Sequence, residues 1–242
     1  MAYERDRRRA TRPSACFDAL SWFALLHGDL DVATSRAAEA LEKAGDDERL
    51  RLVALESIAV TEMEKGHRAE ARSHLMELID LSRATGNVAM EINGALNLSA
   101  LELFTHEFEV ARALAISALD GLPNDHGGSM TGYQNLGHAL VGLGRLSEAR
   151  EAFAKALDLI VASGRTGEGL LAETLAGIAH ATEVTGFDEA ARLLGAARHL
   201  YEEEGINSGS GQRGSSSASS NSLLLMRSER RSTRANKGSV RR

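Results

Sequence analysis

Residue types capable of covalent or metal chemistry are present in this chain, but not at working spacings. His106-Glu107 begins like a zinc-binding helix, yet Val110 stands where an HExxH motif needs its second histidine. The eight histidines (His27, His67, His74, His106, His126, His138, His180, His199) show no ligand spacing and read as surface or helix-end residues. There is no GxxxxGK(S/T) loop to cradle a phosphate, no GxSxG elbow and no calcium-type carboxylate loop. The single cysteine, Cys16, lies in an apolar run and reads as an inert core thiol. It excludes an internal disulfide framework and suits a reducing cytoplasm. No enzyme activity, metal or cofactor is expected. Amide chemistry is what remains: Asn97 and Asn135 stand 38 residues apart. A carboxamide donates and accepts at once, as a peptide unit does.

That interval belongs to a repeat. Aligning the chain on Gly28, Gly66, His106, Gly144 and Gly186 gives steps of 38, 40, 38 and 42 residues. Five residues after each anchor stand Ala33, Ala71, Ala111, Ala149 and Ala191; seven before stand Ser21, Ala59, Ser99, Gly137 and Ala179. Apolar or small residues fall three or four apart on both sides of each anchor, the period of an amphipathic helix. Gly144 suits the left-handed residue closing a first helix, Ser147 is placed to cap the second, and Leu146 to staple its entry. In the fifth copy, GFDEAARLLGAAR, the turn reads one residue shorter. Asp188 then takes the cap, with Leu194 and Ala197 in the places of Phe153 and Ala156. Helices are expected near 14–27, 30–43, 47–65, 67–85, 87–105, 107–121, 129–143, 147–163, 166–184 and 188–204.

Composition agrees with an all-α chain. Of 242 residues, 43% are hydrophobic, 26% charged and 4% aromatic, with two prolines, which leaves little material for strands. No apolar run reaches the roughly 18 residues needed to span a bilayer. Residues 1–13 carry net charge +3 and residues 207–242 carry +7, so the body between them holds −16. An acidic body is a poor phosphate-binding surface, and nucleic acid could be met only through the tails. Both ends read as disordered: a basic N-terminus over 1–13 and a Ser/Gly/Arg-rich tail over 207–242. The first helix is apolar almost all round, and Trp22 and Phe23 have no earlier repeat to cover them, so either something N-terminal is missing or a partner or the tail is expected to cover them.

The run Tyr133, Leu136, Gly137, Leu140, Gly144, Leu146, Ala149, Phe153, Ala156 resembles the tetratricopeptide repeat (TPR). The resemblance implies an α-solenoid of about five TPR-like hairpins over 14–206, wound as a right-handed superhelix, with the first helix of each pair lining an inner groove. In that family an Asn nine residues before the turn glycine often bonds a bound peptide's backbone. Asn97 and Asn135 occupy that offset here; alternatively, they bond the backbone of the adjacent repeat. Asn93, Gln134 and His138 complete the partner-binding set by helical phase, with Glu56, Glu173 and His180 beside them. Clamps for acidic C-termini need Lys or Arg ten and two residues before the turn. Glu56 and Glu64, Leu96 and Phe104, Gln134 and Gly142, and Ala176 and Val184 stand there instead. A groove preferring neutral, apolar or basic segments is expected.

The final pair of helices, LAETLAGIAHATEVTGFDEAARLLGAARHLYEEEG, resembles the C-terminal repeats of large actinobacterial-type regulators, the LuxR-type and antibiotic-regulator-type (SARP/LAL-like) ATPases. That resemblance implies a sensor segment restraining a nucleotide-binding switch domain within a transcriptional regulator. The switch and DNA-binding parts are not in this sequence. The chain past Gly205 departs from the family's helical continuation, as a truncated or frame-altered member would.

Overall fold

The computed structural model describes residues 20–21, 23–25, 27–122, 127–164, 169–182 and 186–203. Residues 20–21 and 23–25 carry a leading helical stretch. It is followed by α1 (Leu30–Ala44), α2 (Glu48–Lys65), α3 (Arg68–Thr85), α4 (Val88–Phe104) and α5 (Phe108–Asp120). Then come α6 (Gly127–Gly142), α7 (Leu146–Ser163), α8 (Leu170–Thr182) and α9 (Phe187–Glu203). Among the described residues there is no strand, and the helices form the tandem hairpins expected, an all-α solenoid of TPR-like units. The expectations for 1–13, for Trp22 and for 207–242 lie outside the described residues.

The first four turns are set by their anchors. Gly28, Gly66 and Gly144 adopt φ of 75°, 81° and 73°, where a Cβ would strain the backbone. His106 takes the same position at φ 63°, the one non-glycine in that region among the described residues. Left-handed geometry costs a side-chain-bearing residue about 1–2 kcal/mol. His106→Gly is therefore expected to raise stability by about 1 kcal/mol, less the loss of an edge contact with Phe108; thermal denaturation reads this directly.

The small residues explain how closely each pair of helices approaches. Ala33, Ala71, Ala111 and Ala149 are fully buried, as are Ser21, Ala59 and Ser99 opposite the first three and Ala179 in the fifth hairpin. The Ser21 hydroxyl donates to the Ala33 carbonyl, and Ser99 to Ala111, both at 2.8 Å. A hydroxyl can bridge to the partner helix backbone only where nothing larger separates the two. In the α6–α7 hairpin, Gly137 leaves room for the Phe153 ring: a Cβ there would lie 2.7 Å from it.

Two register expectations are corrected. The fifth hairpin buries Ala190, and Ala191 is exposed. The amides of Ala33, Ala71, Ala111 and Ala149 bond the carbonyl one residue after the anchor, whereas Ala190 bonds that of Gly186 itself. The shorter fifth turn is thus real, and it shifts the whole second helix by one place. Leu194, in Phe153's place, is 38% exposed because no further described hairpin covers it. Neither Ser147 nor Asp188 is a cap, since each sits in the first turn, two residues too late. Arg145 and Gly186 supply the carbonyls that open α7 and α9. True side-chain caps are Asp29, Asp47 and Asn87, each accepting from the amide three residues on.

Each hairpin packs on the next, and the first helices α2, α4, α6 and α8 also touch one another in sequence. They form the inner layer; α1, α3, α5, α7 and α9 form the outer one. No described helix is long and apolar enough to cross a membrane.

Candidate partner-binding groove

The inner layer decides which polar side chains remain available. On α4, Asn93 is exposed and Asn97 half-buried, one turn apart on a single face. Neither side chain has a hydrogen-bond partner among the described residues. Glu56 on α2 is half-buried, as is Tyr133 on α6, whose ring lies under Lys155 Nζ at 5.4 Å.

The other three candidates face the neighbouring hairpins rather than the groove. Gln134, Asn135 and His138 are 1%, 2% and 6% exposed. Asn135 Nδ2 donates to the Leu96 carbonyl at 3.0 Å, the structural alternative for an Asn at this offset. Gln134 Nε2 donates to the Leu170 carbonyl at 3.0 Å and to Thr174 Oγ1 at 2.9 Å, reaching across to α8. His138 Nε2 lies 3.4 Å from Glu173 Oε1, and its ring meets Phe153 edge-on. Burial pushes the Glu173 carboxyl up from its ordinary value, with His138 pulling it partway back. The five expected residues therefore divide into an open pair on α4 and a buried set on α6. His180 is half-buried on α8.

Another inter-repeat tie was not anticipated. Glu102 is buried, and its Oε2 accepts from Arg72 Nη2 at 2.6 Å and Thr105 Oγ1 at 3.1 Å. Glu62, four residues before its anchor as Glu102 is before His106, is buried too and lies 2.6 Å from His67 Nδ1. That recurrence was the available signal, a charge at one offset in consecutive repeats.

On the outer side, a groove of about 530 Å³ runs between α1 and α3 over α2, lined by Leu41, Glu42, Arg51, Ile58, Glu62 and His74. Arg51 is paired with Glu77, and Glu62 with His67. Among the described residues no cluster of His, Cys, Asp or Glu could hold a metal ion.

A tetratricopeptide-repeat family model matches residues 131–160, the α6–α7 hairpin. No curated protein matches the chain. The structure is similar to that of BtubC (BKLC) from P. vanneervenii, with a TM-score of 0.69 at 18% identity, covering 88% of this chain and 89% of that one. It is similar to the apo form of RapI, with a TM-score of 0.71 at 12% identity over 81% and 70% of the two chains. MamA from Desulfovibrio magneticus RS-1 aligns with a TM-score of 0.56 at 16% identity over 79% and 97%. At these identities the likeness is one of fold. The class is therefore a TPR-like solenoid, a fold commonly used as a protein–protein interaction scaffold.

Proposed function

We propose that this chain is a non-enzymatic scaffold that holds a peptide or protein segment in its inner groove. The observation carrying this reading is the Asn93–Asn97 pair: two carboxamides on the groove layer, one turn apart, not spent on the fold. The reading extends to a cytoplasmic sensor segment of a transcriptional regulator, whose partners include a nucleotide-binding switch domain. The sequence of the last hairpin supports that extension.

A panel of neutral, apolar and basic peptides, scored by fluorescence polarisation, tests the groove. Replacing Asn93 and Asn97 together by alanine is expected to weaken the best binder at least about tenfold, the loss of one to two net hydrogen bonds. Helicity and melting temperature should hold. Asn135→Ala should do the reverse, lowering stability by about 1 kcal/mol through the lost Leu96 bond and leaving binding in place. Unchanged affinity in the Asn93/Asn97 variant would remove the assignment.

A second reading, an adaptor touching nucleic acid through its tail, rests on the +7 charge of residues 207–242. Binding to nucleic acid that falls steeply with salt and vanishes when 207–242 is deleted would favour it.

A further inference from the structure

Between α6 and α8, three buried polar atoms lack a hydrogen-bond partner: Gln134 Oε1, His138 Nε2 and Glu173 Oε2. Their side chains are almost wholly buried, Glu173 being 1% exposed. Such a cluster is costly unless a proton is placed well within it. The Gln134 nitrogen is committed to Leu170 and Thr174, so the Glu173 carboxylate receives no donor from it. His138, 3.4 Å away, is what remains.

We infer that the contact between the α6–α7 and α8–α9 hairpins is a proton-sensitive joint, docked while a proton is held between His138 and Glu173 and loosened when that proton leaves. This goes beyond the peptide-binding reading and does not depend on it. The joint is the place where such a change would be felt. Among the described residues, α8–α9 is held mainly by the α6–α7 hairpin, through Phe153 wedged against Gly177 and through Met130, Ile160 and Leu170.

Among the described residues, the surroundings offer Glu173 no other countercharge. Besides His138, α6 carries only Tyr133 as a titratable group. On α7, Glu148, Glu151, Lys155 and Asp158 are exposed and Arg150 is half-buried. On α9, Asp188, Glu189, Arg192, Arg198, His199 and Glu202 are exposed. On α8 itself His180 is half-buried, two turns further on. Of the described groups, His138 alone acts electrostatically on Glu173. The sign follows from burial. A carboxyl held above its ordinary range in the docked state stabilises docking fully below that range, and this contribution is lost as pH rises through the raised value.

Hydrogen–deuterium exchange on the full chain, corrected for intrinsic rate between about pH 5 and about pH 8, tests this. Protection of α8 should fall with rising pH, about tenfold for each unit separating the carboxyl's docked and released values, while α2 to α5 stay level. Glu173→Gln, which cannot titrate, should flatten the α8 profile. The side-chain carboxyl carbon shift of Glu173 in the wild type should show the carboxyl still protonated above the ordinary glutamate range. An α8 profile parallel to that of α2 to α5, the same profile in Glu173→Gln, or a carboxyl titrating normally would each overturn the joint.

Discussion

Phe153→Ala is expected to cost about 3–5 kcal/mol, the range for deleting a fully buried phenylalanine. The ring fills the space that two glycines on different helices leave open, Gly137 on α6 and Gly177 on α8. It also carries the edge contact with His138. Removing it opens a cavity inside its own hairpin and at the joint with the next. The loss should therefore be local first, with α8 and α9 exchanging faster than α2 to α4. The reciprocal change, Gly137→Ala, pushes a methyl against the ring and should cost about 1–3 kcal/mol by overpacking. Pairing it with Phe153→Leu should recover part of that cost. Urea denaturation with residue-resolved exchange is the suitable measurement, because arrays of repeats need not melt as one unit.

Arg72→Leu should be nearly as damaging, at about 3 kcal/mol, although Arg72 itself is partly exposed. The cost lies with its partner. Glu102 sits buried on α4 with Arg72 as its recorded cation, and removing Arg72 leaves the carboxylate with only the Thr105 hydroxyl. Glu102→Gln keeps a hydrogen-bond acceptor at that position and should cost only about 1 kcal/mol. Replacing both residues by leucine should recover most of the Arg72→Leu loss, because the stranded charge is gone. Equal losses from Arg72→Leu and Glu102→Gln would show that the pair acts only through packing.

How much of this was readable in the chain depended on the kind of question asked. The hairpins were legible because side-chain size at a fixed offset is a backbone requirement: Ser21 and Ala33 can stand opposite each other only where two helices nearly touch. Helix caps were not legible at single-residue accuracy. Ser147 and Asp188 are good capping types, but composition does not fix which carbonyl opens a helix. The groove was half legible. Helical phase points Asn93, Asn97, Gln134 and His138 inward alike, but it does not say how far the next hairpin reaches over them. Around α6 the inner helices on both sides close over those positions; at Asn93 and Asn97 they do not. The Glu62 and Glu102 offset was visible in the alignment and lacked only its partners, His67 at the turn before α3 and Arg72 on α3.

The ties joining one inner helix to the next, Ser57 to Ser21, Asn135 to the Leu96 carbonyl and Gln134 to the Leu170 carbonyl, all lie buried within the inner layer. Hydrogen bonds resist stretching far more than the sliding of alanine and leucine surfaces does. A pull on the two ends should therefore fan the outer helices apart while the groove keeps its contour length. Mechanically the array is a leaf spring with a stiff inner face, able to change its curvature around a guest without tearing its own stitching.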